Sequence, residues 1–219
     1  LRGFPVLGET LRTSTEIIGR RGLAAKPGRP PRGLVTMRIR TTGEGGRTIL
    51  DYARCAMLPA RTQPEVAAEG ETDPRDPDLS AAALTPAFAD WNLGAFRAQV
   101  GGPHFADIAE GVTQLVGGDV VTSAPELARL TLNLASIHHD RTAADNRERL
   151  VYGGHTIGLA AAQLTRAFPR MVTIVAWKSC DHTGPVREGD TLHSEITVDG
   201  KDAMPAGGGL IYLRVQVRS

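Results

Sequence analysis

From Gly154 to Phe168 the chain reads G-H-T-I-G-L-A-A-A-Q-L-T-R-A-F, small or apolar until Gln163, Thr165 and Arg166 break the run near its end. A helix that is apolar nearly all round has to be enclosed by other structure, so the rest of the chain must supply a layer to cover it. Gly153 and Gly154 open the helix. Glycine lets backbone approach a ligand closely, and the first helical turn leaves N–H groups without internal partners, which suits developing negative charge. Just upstream, Asn133 and His138 stand as polar side chains among apolar neighbours. A polar pair facing a helix N-terminus has the makings of an active site.

The covering layer is legible as β structure. Thr10 to Ile18 is rich in β-branched residues, Gly33 to Arg40 (G-L-V-T-M-R-I-R) alternates cleanly, and Thr48 to Leu58 follows the turn signal G-E-G-G. Three strands joined by Gly-rich turns predict an antiparallel meander over residues 1–61. Between the first two strands lies a basic loop carrying Arg20, Arg21, Lys26, Arg29 and Arg32. It reads either as a patch for the phosphates of a CoA carrier or as a solvated hairpin loop. After the buried helix, Met171–Cys180, Asp190–Val198 and Gly209–Val217 are three further strand candidates.

Residues 62–100 begin polar, acidic and Pro-containing, a composition unable to bury a core, and read as a linker with short helical turns after Leu79. A second unit is expected over 101–219. In it G-D-V-V-T is a short strand, and S-A-P-E predicts a helix start. There Ser123 would be N-cap, Pro125 would lie in the first turn and Glu126 would complete a capping box.

The chain also repeats itself. P-V-L-G-E-T-L at 5–11 parallels P-V-R-E-G-D-T-L at 185–192, and G-L-V-T-M-R-I-R at 33–40 parallels G-L-I-Y-L-R-V-Q at 209–216. Two β units on one plan indicate a duplicated domain. The first copy begins at the repeated pattern and the second stops after it. The chain therefore reads as truncated at both ends of a longer double unit.

Composition excludes several classes. Lys plus Arg number 25 against 24 acidic residues, a net charge of +1 that gives no bulk attraction to nucleic acid or a membrane. Aromatic residues are 5% of the chain, too few for a base-stacking platform. No apolar run reaches the roughly 20 residues of a membrane span, and Leu1–Leu7 lacks the form of a signal peptide, so a cytoplasmic location is expected. Cys55 and Cys180 lie in apolar, strand-like runs without C-x-x-C spacing, which argues against a disulfide scaffold or a zinc site.

N-L-A-S-I-H-H-D at 133–140, then Y-G-G-H-T-I-G-L-A, then G-P-V-R-E-G-D-T-L together resemble the MaoC-like dehydratases, the hotdog-fold family of (R)-specific enoyl-CoA hydratases. The family pattern is D-x-N-P-I-H-x-D with Asp and His as catalytic pair. His138 matches its His and Asp140 its trailing Asp. Asn133 stands where the family has Asp, Ala135 where it has Asn, and Ser136 where it has Pro. The mesaconyl-CoA hydratase (β-methylmalyl-CoA dehydratase) branch is similar in having N-x-A-x-[IV]-H and Y-G-G-H. The resemblance implies an α+β double hotdog, antiparallel sheet wrapped around a central helix, with Gly154–Phe168 as that helix in the second unit.

It also implies a chemistry: reversible hydration of an α,β-unsaturated acyl-CoA, with no cofactor and no metal. Such a reaction needs a group to activate water, a proton donor for Cα, and hydrogen-bond donors for the enolate oxygen. His138 suits the first or second task and backbone N–H groups near Gly154 the third, while Asn133 would orient water through its amide. Tyr152, Gly153 and His155 are expected at the substrate. Arg149, or Arg141 or Arg147, would meet a substrate carboxylate with its bidentate fork. The His138, His139 and His155 set lacks the spacing of a known metal site. The Gly154–Gly158 pair reads as packing of the helix against the sheet. The expected partner is an acyl-CoA thioester, with a homodimer as a possible assembly. A non-catalytic acyl-CoA-binding module that lost turnover with the Asp remains the alternative. A hotdog thioesterase is disfavoured, because no acidic residue lies on the central helix.

Overall fold

The computed structural model describes residues 1–73, 79–89, 91–143, 148–205 and 207–219. Two compact units emerge, Leu1–Trp91 with Val175–Ser179, and Asn92–Ile174 with Cys180–Ser219.

The first unit is a four-stranded antiparallel sheet. Its strands β1 (Arg12–Gly22), β2 (Arg32–Thr42), β3 (Thr48–Pro59) and β4 (Ala68–Gly70) lie in the order β3-β2-β1-β4. The alternating and β-branched runs therefore form the expected meander. The stretch read as linker contributes β4, because Glu69 and its neighbours pair with Gly19–Arg21. Helix α1 (Ala81–Leu84) follows, capped by Ser80, whose hydroxyl accepts from the Ala83 N–H. Its turn buries Leu84 and Phe88, and Trp91 stacks between Phe4 at 4.4 Å and Phe88 at 6.3 Å.

The second unit has helix α2 (Leu93–Gln99), strand β5 (Thr113–Val120), helix α3 (Ala124–Leu130), helix α4 (Gly153–Ala167), and strands β6 (Thr191–Ala203) and β7 (Gly209–Arg218). Its sheet runs β5-β6-β7, antiparallel throughout. Strand β6 alternates strictly, with Leu192, Ser194, Ile196 and Val198 buried on one face. Leu164 and Phe168 of the α4 segment pack onto Ile196 and Val198. Each fully buried aliphatic side chain here contributes about 1.5–3 kcal/mol. Gln163, wholly buried, is tied in by its Nε2, which donates to Asp119 Oδ2 at 2.8 Å and the Leu192 carbonyl at 2.7 Å.

The duplication extends to details of the backbone. Gly8 and Gly189 both have positive φ (93° and 97°) in turns where a carboxylate accepts from a backbone N–H, Glu9 from Val6 and Asp190 from Arg187. The following strands both carry a bulge at the same place, Ile17/Gly19 in β1 and Val198/Gly200 in β6.

Four expectations are corrected. Met171–Cys180 forms no strand ladder among the described residues. Met171 and Ile174 instead pack on the second unit's core, while Val175 accepts from the Leu1 amine at 2.7 Å within the first unit. Helix α4 is not enclosed all round. His155, Gln163 and Leu164 are buried, whereas Gly158, Ala162, Thr165 and Arg166 are exposed, because the sheet covers one face. Gly158 consequently packs on nothing. The capping box at Ser123 is absent, since Ser123 is left-handed (φ 53°) and its side chain caps nothing.

Two glycines test this packing. A Cβ on Gly19 would collide with the Glu71 carbonyl, so Gly19→Ala must open the β1–β4 edge at a cost of about 1–3 kcal/mol. Gly158→Ala meets open space in a helix interior and should gain up to about 1 kcal/mol. Thermal melts should shift in opposite directions, by roughly 2–4 °C per kcal/mol.

Candidate active site

The site is assembled by three segments of the second unit. Just past helix α3, Leu132 is left-handed at φ 57°, and the Asn133 N–H closes on the Ala128 carbonyl at 2.9 Å. The chain then makes a single 3-10 turn at Ser136–His138. Leu150 and Val151 form the second segment. Val151 donates to the Val186 carbonyl at 2.9 Å, and Leu150 bridges to Arg187. The third segment is the entrance of α4.

His138 is fixed by this arrangement. Its Nδ1 lies 2.7 Å from the Leu150 carbonyl, and the Leu150 N–H returns a bond to the Ile137 carbonyl at 3.2 Å. A carbonyl oxygen accepts only, so Nδ1 carries a proton and, in the neutral ring, the lone pair falls to Nε2. The half-buried ring meets Tyr152 edge-on, with centroids 6.1 Å apart. His139 has the opposite tautomer by the same reasoning, its Nε2–H donating to the Asn133 carbonyl at 2.6 Å. It is a brace for the loop.

Asn133 is half-buried, and its Oδ1 accepts from the Ala135 N–H at 3.2 Å. That local bond turns the amide so that Nδ2 is the group it offers, a donor where a carboxylate would be an acceptor. Asp140, the trailing acid of the motif, accepts from the Thr142 N–H and hydroxyl, both at 2.8 Å, and these bonds hold its carboxyl below the usual range. It organises the loop locally.

At the helix entrance, Gly153 and Gly154 precede the first internal bond of α4, from the His155 N–H to the Tyr152 carbonyl at 2.9 Å. Both glycines face a neighbouring side chain that would have to swing aside for a larger residue. A Cβ on Gly154 would run into the Tyr152 hydroxyl, and one on Gly153 into the His182 ring. His182 is a neighbour that sequence reasoning missed, because its loop reaches the helix from almost thirty residues downstream. His155 is buried, with Nδ1 unpartnered, and burial pushes its pKa below the ordinary histidine value against the opposing pull of Glu188. It is neutral at pH 7.

The arginines fall out differently. Arg149 Nη2 donates to Glu188 Oε2 at 3.0 Å, so its charge is met inside the protein. Arg141 is exposed, and Arg147 lies outside the described residues. Among the described residues no three His, Cys, Asp or Glu side chains converge as a metal site, and no helix is long and apolar enough to cross a membrane.

Two antiparallel units built on one plan, the second with a helix against its sheet and a histidine loop at the helix entrance, define a double hotdog of the α+β class. No family model matches the chain. A double-hotdog protein of Mycobacterium tuberculosis superposes with a TM-score of 0.80 at 45% identity, over 99% of this chain and 65% of its own. A MaoC-domain protein dehydratase of Chloroflexus aurantiacus gives 0.76 at 25% identity, over 96% and 61%.

In sequence, the mesaconyl-CoA hydratase of Cereibacter sphaeroides is 32% identical over 94% of this chain. The β-methylmalyl-CoA dehydratase of Chloroflexus aurantiacus is 28% identical over 95%. The chain spans 60% of the length of both curated relatives. These matches agree with the resemblance to the MaoC-like dehydratases that its motifs carry.

The state of His155 predicts a pH dependence. Its folded pKa is depressed, so on acidification the unfolded chain takes up the proton first. This stability is complete above the ordinary value of about 6.5 and is lost as pH falls below it. Melting temperatures at pH 7.5 and 5.5 should differ less in His155→Gln than in wild type.

Proposed function

We propose that the protein reversibly hydrates the carbon–carbon double bond of a short-chain α,β-unsaturated acyl-CoA. The observation that carries this reading is the His138 tautomer: with Nδ1–H donated to Leu150, Nε2 is the nitrogen that bears the lone pair of the neutral ring, in a half-buried loop. As water attacks Cβ, Nε2 takes one of its protons and the electron pair moves onto the thioester oxygen. The N–H groups of Gly153 and Gly154, at the positive end of α4, stabilise that enolate oxygen. The imidazolium then returns the proton to Cα. In sum, OH joins Cβ, H joins Cα, and the enzyme is unchanged.

The relatives' names point to mesaconyl-CoA, hydrated to β-methylmalyl-CoA, as the substrate. Asn133 favours the same choice. An amide where the family pattern has a carboxylate adds no negative charge near a substrate that brings its own. The binding-only alternative rests on the same residue, since Asn133 is no base. The two are separated by turnover.

Two substitutions test the mechanism. His138→Ala should fold normally and lose about 10²- to 10⁴-fold in kcat, followed by loss of enoyl absorbance with crotonyl-CoA and mesaconyl-CoA. In Asn133→Asp the new carboxylate would repel a substrate carboxylate at roughly 4–6 Å by a few kcal/mol, at an effective dielectric of about 20. The ratio of kcat/KM for mesaconyl-CoA over crotonyl-CoA should therefore fall. An unchanged ratio would return the assignment to a generic (R)-specific enoyl-CoA hydratase. Tight binding of both thioesters without turnover by wild type would leave a binding module.

A further inference from the structure

We infer that Glu188 is a positioning residue that holds the two carriers of the candidate site, the Asn133 helix and the His138 loop, in register. The inference rests on the hydration reading and adds a residue to it. Glu188 sits in the turn leading into β6, one residue before Gly189. Its Oε1 accepts from the N–H of Ala124, first residue of α3, at 3.2 Å. Its Oε2 accepts from Arg149 Nη2 at 3.0 Å. Helix α3 leads directly to Asn133. Arg149 adjoins Leu150, whose carbonyl fixes the His138 ring. One carboxylate thus fastens both carriers to one turn.

That turn is itself anchored, by Val151 donating to the Val186 carbonyl and by Asp190 accepting from the Arg187 N–H at 2.8 Å. Two comparisons within the molecule support a specific role. Glu188 supplies the α3 cap that Ser123 does not. In the first copy of the repeat the same turn recurs, with Gly8 and Glu9 in the places of Gly189 and Asp190, yet the position of Glu188 is taken by Leu7, which is fully exposed. The carboxylate is present only in the copy that carries the site. With its two side chains 24% and 35% exposed, the Arg149–Glu188 pair is partly desolvated. Its geometry is accordingly held more firmly than that of an open surface pair.

The test uses Glu188→Gln, which keeps an oxygen for Ala124 but not the ion pair, and Glu188→Ala, which loses both. Displacing reacting groups by about 1 Å costs on the order of 100-fold in rate. Per folded molecule, kcat should fall roughly 10-fold in the Gln variant and roughly 100-fold in the Ala variant, with KM moving less than about threefold. In ¹⁵N-histidine-labelled protein, with the His138 signal assigned by its loss in His138→Gln, wild type should show the Nδ1–H tautomer. Glu188→Ala should show tautomer averaging. A lowered melting temperature with kcat per folded molecule and the tautomer signal unchanged would make Glu188 merely structural and overturn the inference. If Glu188→Ala does not fold, Glu188→Gln decides by the same two readouts. If wild type hydrates neither thioester, the hydration reading fails, and the tautomer signal alone still decides for or against the clamp.

Discussion

The Leu150 carbonyl is the point on which the site turns. It accepts from His138 Nδ1 at 2.7 Å, while the N–H of the same residue donates to Ile137. One extended residue therefore holds both the backbone and the ring of the histidine loop. A neutral imidazole in solution exchanges tautomers freely, and only a fixed acceptor on one nitrogen makes the other a dependable base. Leu150 is in turn held by the bridge to Arg187, and Val151 by Val186. The position of a proton on His138 is thus set by pairing that begins in the turn before β6.

This dependence explains how the two copies of the repeat differ. Both keep the same turn, the same carboxylate-to-backbone bond and the same bulge, because these features set how a strand enters the sheet. Strand β6 adds an alternating buried face on which α4 rests. Strand β1 is exposed over most of its length and pairs instead with the three-residue β4. Both copies thus retain the entry geometry. The extra chemistry of the second copy, Glu188 and the Leu150 segment, is attached to a scaffold turn that both share.

Much of this was legible in the chain, for physical reasons that differ by element. The α4 run announces itself because a stretch of small and apolar residues this long exceeds a strand and reads as a helix, although only one face of it is covered, and β6 does so because T-L-H-S-E-I-T-V alternates with period two. Met171–Cys180 misled because apolar content was read as strand, although its residues divide between two units and form no ladder. Ser123 misled because cap chemistry depends on backbone angles that the sequence does not print, and here the cap comes from Glu188, 64 residues away. His138 and the Y-G-G-H entrance were readable from motif. The partners that orient them, Leu150 through its carbonyl and His182 through its ring, were not, since a backbone acceptor has no letter and a loop contact has no period.

The electrostatics of the site bear on what it can accept. His155 is buried and neutral, and the charge of Arg149 is taken by Glu188. Asn133, with Oδ1 committed to Ala135, adds an amide donor and no charge. The helix entrance is therefore a place of donors and dipoles, without a formal negative charge on Asn133, Tyr152 or either glycine. A carboxylate in the Asn133 position would raise the cost of bringing in an anionic acyl group and would compete for the proton on the His138 base. The exchange of Asp for Asn reads in this light as more than a lost catalytic group. On the proposed hydration reading, an amide there adds no charge against an anionic acyl chain, and His138, its Nδ1 bonded to the Leu150 carbonyl, is the base.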